Sequence, residues 1–547
     1  MMMATFVYAL KRMPLSTAYT IFFVAPLLIT AMSVPFLGER VGPRRWTAIA
    51  IGLLGVLVVL RPSGEGMASL AGLAVLVAAF GVALTAASHG RAAARPNFLV
   101  ILCDDLGYGD LGCYGHPTIR TPNLDRLAAQ GMRCTDFYSA APVCSPSRAG
   151  LLTGRTPSRA GVYDFISEGN VMHLPDDELT IADALRRTGY ATCQVGKWHC
   201  NGKFNGPEQP QPGDHGFDHW FATQNNAAPG HENPNNFVRN GAPVGPTSGY
   251  SCGLVVDEAI EWLTRKKPAG APFFQFVCFH EPHEPVVSPP ELVQRYRAQA
   301  RNDDEAQYFA NVANMDAAVG RLLTALDDLR LADDTLVVFT SDNGPETLNR
   351  YRSANRSYGS PGPLRGMKLH LYEAGMRVAG LLRFPGRIEP GRTVAAPLGS
   401  VDLLPTFCEL AGTAVPTARV VDGESFARLF DDRAWRRSKP LFWHYYASIG
   451  KPKAALRDGD FMILGHTDLP APRVAGSLRY GDMEYIKRAK LVDFEVYDVR
   501  RDVGESVDLA QADPQRTARL ADLLQRRYAE VIAEGRTWDV RPPSPRP

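Results

Sequence analysis

The chain has 547 residues, of which 45% are hydrophobic and 21% are charged, and its formal net charge is +2. A chain of this length and composition can bury a large core and should form more than one domain. The nearly balanced charge gives no reason to expect a nucleic-acid partner, so any selectivity for anions must come from local basic residues. The nine cysteines lack the paired, regular spacing of a disulfide framework or of a zinc site.

The first 93 residues differ in composition from the rest of the chain. Residues 13–38 and 67–88 are uncharged runs long enough to span a bilayer, and residues 46–60 form a shorter uncharged run. We therefore interpret residues 1–93 as a hydrophobic segment of transmembrane helices that attaches the protein to a membrane.

Two interpretations of this segment stay open. In the first, a membrane segment is fused to a second protein. In the second, translation begins at Met67 and residues 67–94 act as an export signal, which would place the protein in the periplasm or outside the cell. No Lys or Arg lies between Met67 and the apolar run, although export signals usually carry a positive charge there. If all the helices insert, the distribution of Lys and Arg favours a cytoplasmic position for the domain that follows residue 93.

Residues 94–414 have the pattern of an α/β domain. Apolar runs of strand length at 98–103 and 335–340 alternate with amphipathic segments at 179–188 and 310–329, which predict helices. Alternating strands and helices predict a mostly parallel central sheet with helices on both faces.

Polar side chains directly follow two of these predicted strands. Asp104 and Asp105 follow the first strand, and Asp342 and Asn343 follow the second. An isolated Asp-Asp pair in this position is usually a turn or a helix cap, but active sites in such sheets lie beyond the carboxyl ends of the strands. Three carboxylates and an amide oxygen suit a hard divalent cation such as calcium or magnesium.

The stretch 144–155 places Cys144 before a Pro-led turn that enters a predicted helix, with Ser147 as its N-cap and Arg148 beside it. Free amide groups at a helix start, next to an arginine, favour an anion. The sequence Cys-Ser-Pro-Ser-Arg, followed by Leu-Leu-Thr-Gly-Arg, resembles the first signature of the type I sulfatases, and Gly-Tyr-Ala-Thr-Cys-Gln-Val-Gly-Lys-Trp-His at 189–199 resembles the second. The resemblance implies an alkaline-phosphatase-like fold.

The resemblance also implies a chemistry for Cys144. A formylglycine-generating or anaerobic sulfatase-maturating enzyme would convert this cysteine to formylglycine, which is then hydrated. One geminal hydroxyl would attack the sulfur of a sulfate monoester, and the second would restore the aldehyde and expel sulfate. Ca²⁺, with Mg²⁺ as the alternative, would be held by Asp104, Asp105, Cys144, Asp342 and Asn343.

The basic residues of the expected site come from separate stretches of the chain. Lys197 and His199 lie two residues apart, so an extended chain would point both to the same face. By resemblance to the family, both lysines of the site, Lys197 and Lys368, would bind sulfate oxygens, and Arg148 would orient the diol. His283 would protonate the leaving alcohol, and His199 would accept the proton in the elimination.

Residues 415–540 are predicted to form a small α+β subdomain that resembles the C-terminal part of sulfatases, and residues 541–547 a disordered tail. The subdomain contains three strand-like segments and one polar helix, at 440–446, 453–464, 494–499 and 513–534.

The sequence therefore predicts a sulfuric ester hydrolase that cleaves an aryl sulfate or a sulfated carbohydrate. Segments 204–251 and 347–362 are rich in Asn, Gly and Pro and are predicted to form long loops at the mouth of the pocket. Two alternatives stay open: a phosphonate or phosphate diester hydrolase of the same superfamily, and an inactive membrane-anchored relative. The second alternative arises because residues 1–93 resemble a fragment of a drug/metabolite transporter.

Overall fold

The computed structural model describes residues 95–472 and 476–540. The transmembrane segment predicted at 1–93, the export signal predicted at 67–94 and the tail predicted at 541–547 lie outside the described residues. Within the described residues, no helix is both long enough and apolar enough to cross a bilayer.

The larger of two sheets contains eleven strands within the described residues. In chain order these strands are β1 (Asn97–Asp104), β2 (Met132–Tyr138), β3 (Ala191–Lys197), β4 (His219–Thr223), β5 (Val238–Arg239), β6 (Ala242–Pro243), β7 (Phe273–Pro282), β8 (Thr335–Ser341), β9 (Arg377–Arg383), β10 (Arg392–Val394) and β11 (Leu398–Gly399).

This sheet is mixed: among the described residues, six of its strand pairings are parallel, as predicted, and four are antiparallel. Strands β8, β1, β7, β3 and β4 lie side by side and are parallel. Strand β9 runs antiparallel between β8 and β2, and β5 and β6 are also antiparallel to their neighbours. A parallel pair needs a long crossover, usually through a helix, and the connection from β8 to β9 contains only short helical turns. The alternation of strands and helices therefore did not extend to β9.

Helices cover both faces of the large sheet, as predicted. The α-helices of the described residues are α1 (Pro122–Gln130), α2 (Cys144–Thr153), α3 (Ile181–Arg186), α4 (Ser251–Glu261), α5 (Pro290–Tyr296), α6 (Asp303–Asp328), α7 (Glu373–Met376), α8 (Leu403–Ala411), α9 (Asp482–Arg488) and α10 (Pro514–Glu534).

Successive side chains of β1 point to opposite faces of the sheet, which creates two cores. Phe98, Val100 and Leu102 pack with α2, α3 and α8 in one core. Leu99 and Ile101 pack with α1, α4 and α6 in the other. Because β1 is buried on both faces, its sequence is a continuous apolar run. Burial on both faces also fixes the position of Asp104, the last residue of the strand.

The smaller sheet is antiparallel and consists of β12 (Leu441–His444), β13 (Pro452–Asp458), β14 (Phe461–Thr467) and β15 (Leu491–Asp498), in that order. The prediction of a single strand at 453–464 is wrong, because this segment contains most of the hairpin formed by β13 and β14. Gly459 has a φ of 61° and supplies the left-handed turn between the two strands.

Helix α10 is joined to the large domain by buried arginines. Arg155 lies 2.5 Å from Glu534, and Arg159 lies 2.6 Å from Glu530 and 3.1 Å from Asp422. The guanidinium of Arg159 is fully buried, whereas the carboxylate of Glu530 is about half exposed. These ion pairs hold the C-terminal helix against the segment that follows α2.

We expect Arg159→Ala to lower the free energy of unfolding by about 2 kcal/mol, because it removes a cation that pairs with Glu534 as well as with Asp422 and Glu530. The expected loss is smaller than for a fully buried pair, since water screens the exposed part of Glu530. Arg526 pairs with Asp522 on an exposed face of α10, so Arg526→Ala should change stability by less than about 0.5 kcal/mol. Urea unfolding of both variants checks this, and equal losses would contradict it.

Candidate active site

The ends of β1 and β8 bring the acidic residues together. The amide of Asp105 donates to Oδ1 of Asp342 at 3.2 Å, and Nδ2 of Asn343 donates to Oδ1 of Asp105 at 2.6 Å. Asp105 has a φ of 63°, so the chain turns sharply as soon as β1 ends. Asp104 is the last residue of β1. Residues more than two hundred positions apart therefore meet at one point because their strands are parallel neighbours.

Cys144 is the first residue of α2, and its Sγ lies 3.6 Å from Oδ1 of Asp104. The N-cap is Val143, so the prediction of Ser147 as the N-cap is wrong. The amide of Ser147 already donates to the carbonyl of Val143 at 3.1 Å. The helix starts earlier than predicted because Pro146 is tolerated in a first turn, where an amide hydrogen is not needed.

Arg148 is fully buried and is held by several bonds. Its Nε and Nη2 lie 3.0 and 2.8 Å from Oδ2 of Asp342, and its Nη1 donates to the carbonyl of Lys197 at 2.9 Å. Its Nη2 is also 3.9 Å from Oδ1 of Asp104. A guanidinium bound on several sides has a fixed orientation, so Arg148 ties the ends of three strands to α2.

The two lysines each contact one of the paired aspartates. Nζ of Lys197, the last residue of β3, donates to Oδ2 of Asp104 at 2.5 Å. Nζ of Lys368 donates to Oδ2 of Asp105 at 2.6 Å. The amide of Lys368 donates to the carbonyl of Pro345 at 2.9 Å, which fixes this lysine to the loop after β8.

His283 follows the end of β7, and its Nε2 lies 3.5 Å from Oδ2 of Asp105. Its Nδ1 is 2.8 Å from the carbonyl of Glu284, so the proton of the neutral ring belongs on Nδ1. Nearby His280 instead bonds Oγ1 of Thr223 at 2.8 Å. Of these two neighbouring histidines, His283 is therefore the one beside Asp105.

His199 lies just beyond β3 and has a φ of 55°. Strand alternation stops at such a residue, so the expected common face with Lys197 does not follow from an extended chain. Nε2 of His199 is 3.1 Å from the carbonyl of Ile166, and its buried Nδ1 has no hydrogen-bond partner among the described residues. Burial, and then the charge of Lys197, lower the pKa of His199 well below its usual value, which favours a neutral ring.

The carboxylates differ in their ionisation. Burial would raise the pKa of Asp104, but nearby cations, chiefly Lys197, hold it well below its usual range. Burial raises the pKa of Asp105 to about 6, and burial together with the charge of Asp104 raises that of Asp342 to about 7. Neighbouring carboxylates thus repel one another, and a divalent cation between them would relieve that repulsion.

Burial also raises the pKa of the Cys144 thiol well above its usual value, despite the opposing charges of Lys197 and Lys368. A neutral thiol is a weak nucleophile and a weak metal ligand. An unmodified cysteine is therefore poorly suited to do chemistry at this position.

The residues present fit a divalent metal ion. One ligand atom from each of Asp104, Asp105, Cys144 and His283 lies within 4.8 Å of the others. Oδ1 of Asn343 is buried without a hydrogen-bond partner in the described part of the chain, which leaves it free to act as a ligand. Oxygen donors dominate the set, and Ca²⁺ and Mg²⁺ prefer such donors.

The site opens into a pocket of about 410 Å³. Segments 204–251 and 347–362 both contribute to its wall, which confirms their predicted position, although the first segment also contains β4, β5 and β6. The wall of this pocket includes Cys144, Phe165, His199, Asn225, Asn226, His283, Glu284, Arg350, Tyr351 and Lys368.

Sequence reasoning missed two polar neighbours of the lysines. Oε2 of Glu346 lies 3.7 Å from Nζ of Lys368, and the same carboxylate bonds Arg350 with two contacts of 2.7 Å. Oδ1 of Asn226 lies 3.5 Å from Nζ of Lys197. Glu346 could have been predicted, because it lies only a few residues after Asp342 and Asn343, which follow β8. Asn226 lies in a long loop and had no comparable signal.

Comparison with known proteins identifies the family. Residues 96–413 match the family model described as Sulfatase. The chain belongs to the sulfatase family. Residues 367–461 match the model of the N-sulphoglucosamine sulphohydrolase C-terminal region, and residues 1–61 match the EamA-like transporter family. The resemblance to a sulfatase preceded by a transporter-like segment is thereby confirmed.

Several curated sulfatases are similar to this chain. N-acetylgalactosamine-6-sulfatase of Canis lupus familiaris is 38% identical over 366 residues, which cover 62% of this chain and 67% of that protein. Arylsulfatase A of Homo sapiens is 34% identical over 466 residues, which cover 78% and 86%. The chain is therefore a hydrolase of sulfuric esters.

Solved structures share the alkaline-phosphatase-like fold of the sulfatases. The structure of Ps i-CgsB in complex with k-i-k-neocarrahexaose has a TM-score of 0.68 and 25% identity, over 81% of this chain and 94% of that one. The PsFucS1 sulfatase of Pseudoalteromonas sp. has a TM-score of 0.66 and 23% identity, over 84% and 94%. The second likeness supports the fold alone.

Gly344, directly after Asn343, packs against the backbone of Ala374 and leaves no space for a side chain. A Cβ added there would lie 1.7 Å from the carbonyl oxygen of Ala374. We expect Gly344→Ala to displace the loop after β8, to destabilise the protein by more than about 2 kcal/mol and to abolish activity. Gly253 in α4 has no atom within 4 Å of an added Cβ, so Gly253→Ala should be neutral or stabilising. Thermal unfolding and sulfatase activity check both variants. A wild-type melting point for Gly344→Ala would contradict the expectation.

Proposed function

We propose that this sulfatase hydrolyses sulfate monoesters of carbohydrates or aryl alcohols through a formylglycine formed from Cys144. The observation that carries the proposal is the position of Cys144 at the start of α2, 3.6 Å from Asp104 and close to Asp105, two aspartates that each contact a buried lysine. A sulfate ester carries its charge on oxygens, which nearby fixed cations can stabilise.

In this proposal each basic residue has a separate task. Lys197 and Lys368 hold sulfate oxygens, and Arg148 fixes the modified side chain by keeping α2 in register with the strand ends. Asp104, Asp105, Asp342 and Asn343 hold the divalent metal. When bound, that metal would offset negative charge on the substrate and on the nucleophile.

The proton transfers follow from the hydrogen bonds of the two histidines. One hydroxyl of the formylglycine hydrate would attack sulfur and lose its proton to a neighbouring carboxylate. The S–O bond to the alcohol would break, and His283, in its doubly protonated form, would give the alcohol a proton from Nε2. The bond from Nδ1 of His283 to Glu284 leaves Nε2 as the atom that carries this proton. The second hydroxyl then loses its proton to His199, the C–O bond to sulfate breaks, and the aldehyde returns.

The side chains of the pocket wall and the names of the similar sulfatases both point to the class of substrate. Phe165 and Tyr351 provide aromatic surfaces, and Asn225 and Asn226 provide neutral hydrogen-bonding groups, a combination that suits a sugar or an aryl ring. The named relatives include an N-acetylgalactosamine-6-sulfatase and an arylsulfatase. We therefore propose a sulfated carbohydrate, with small aryl sulfates as accepted substitutes.

Formylglycine requires a formylglycine-generating or anaerobic sulfatase-maturating enzyme as a partner. We also propose that the chain is membrane-associated through residues 1–93, or periplasmic or extracellular if residues 67–94 are an export signal.

Hydrolysis of nitrophenyl sulfate tests the proposed function against its alternatives. Protein co-expressed with a formylglycine-generating enzyme should hydrolyse it, and Cys144→Ala should lower kcat/KM by more than about a thousandfold, because the nucleophile is lost. Cys113→Ala, at a cysteine outside the site, is the matched control and should retain activity. Faster cleavage of an aryl phosphonate diester would favour the phosphonate hydrolase, and inactivity of the wild type on both would favour the inactive relative.

Removal of divalent metal should also abolish activity. We expect dialysis against a chelator to inactivate the enzyme, and Ca²⁺ at a hundred times its Kd to restore activity and raise stability by about 2.7 kcal/mol. Asp104→Ala should lose the stabilisation because one carboxylate ligand is missing, whereas Asp333→Ala, at an exposed aspartate, should keep it. Thermal unfolding with and without Ca²⁺ checks this. An unchanged shift in Asp104→Ala would contradict the proposed metal site.

A further inference from the structure

A second cleft, of about 500 Å³, lies beside strand β10. Its walls are β10 with the residues that follow it, segment 433–440, and the turn between β13 and β14. The described residues that line it do not include those of the active-site pocket. Its lining contains seven basic residues and only two acidic ones within the described chain, namely Arg392, Arg433, Arg436, Arg437, Lys439, Arg457, Arg500, Asp458 and Asp460. We call this the basic cleft.

Some of these cations have structural roles. Arg437 pairs with Asp402, and Arg457 pairs with Asp136, at 2.5 and 2.6 Å, and all four side chains are buried. These pairs neutralise their own charge and build the wall of the basic cleft. They are not available to a ligand.

Three other cations keep their charge. Arg392, Arg436 and Lys439 donate to main-chain carbonyls. The shortest of these contacts are 2.7 Å for Arg392, 2.8 Å for Arg436 and 3.1 Å for Lys439. In the part of the chain that the structure describes, none of the three forms an ion pair. Arg436 and Lys439 are exposed, and Arg392 is half-buried. A carbonyl orients a cation without neutralising it, so these three charges are held in place and face solvent uncompensated.

The basic cleft is a local concentration of charge, because the whole chain carries a formal net charge of only +2. Arginine binds a tetrahedral oxyanion through paired N–H groups. Several fixed cations around one cleft favour a ligand with several such anions over a single ion. A sulfated polysaccharide meets this requirement.

We propose that the basic cleft binds a sulfated polysaccharide chain at sulfate groups other than the one being cleaved. The identity of this ligand rests on the proposed function. A chain held at a second site would remain close to the enzyme after each cleavage, which raises its effective concentration at the active-site pocket. The basic cleft would thus favour polymeric over small substrates.

The test compares binding of fluorescently labelled dextran sulfate to the wild type and to R392A/R436A/K439A. We expect Kd to rise by about tenfold or more, and the dependence of log Kd on log salt to become shallower, because fewer cations release counterions. The matched control is R297A/R321A/R488A, which removes three exposed arginines that pair with Asp303, Asp257 and Glu484 elsewhere. It should change Kd by less than about threefold. An equal loss in the control would overturn the proposal.

Further measurements distinguish loss of polysaccharide binding from misfolding, from general binding of polyanions and from failure of the proposed function. If the triple variant folds poorly, Arg436→Glu against Arg488→Glu repeats the comparison with one exposed residue each. Equal binding of duplex DNA, lost equally in the variant, would overturn the polysaccharide assignment. Hydrolysis of nitrophenyl sulfate should be unchanged in both triple variants. If the wild type fails to hydrolyse it while dextran sulfate still binds the basic cleft, the proposed function fails and the binding proposal is supported.

Discussion

Buried charge at the ends of the central strands is the constraint on which the site depends. Three carboxylates and three cations share this space, namely Asp104, Asp105, Asp342, Arg148, Lys197 and Lys368. Removing charges from water is costly, and their mutual attraction offsets that cost only when the geometry is fixed and the hydrogen bonds are satisfied. Each charge is therefore attached to a rigid element: the ends of β1, β3 and β8, the N-terminal half of α2, or the loop bonded to Pro345.

The architecture supplies that rigidity. Strand β1 is buried on both faces and paired on both edges, so Asp104 cannot move without disturbing two cores. Helix α2 starts at Cys144 and is held through Arg148 to the carboxylate of Asp342 and to the carbonyl of Lys197. An incoming anion would meet lysines that already lie beside carboxylates. A metal among those carboxylates would strengthen the attraction, and this coupling joins the metal proposal to the sulfate proposal.

Sequence predicted the parts of this arrangement that depend on local pattern. The apolar runs at 98–103 and 335–340 became β1 and β8, and their polar ends meet as parallel strands require. It failed at the antiparallel β9, whose direction depends on long-range contacts, and at two local features: the turn at Gly459 and the early start of α2 that places Ser147 inside the helix. Residues whose role is to contact the lysines, such as Glu346 and Asn226, carry no motif. The resemblance supplied the tasks of individual residues, which spacing alone left open.

The chemical state of Cys144 is the most direct test of the proposed chemistry. Burial keeps its thiol neutral, so an unmodified cysteine would leave the site without a competent nucleophile. Mass spectrometry of the tryptic peptide 134–148, from protein made in the presence of a formylglycine-generating enzyme, reports this state. We expect the mass of an aldehyde in place of the thiol, in proportion to the sulfatase activity of the sample. An intact thiol in a fully active sample would contradict the formylglycine mechanism.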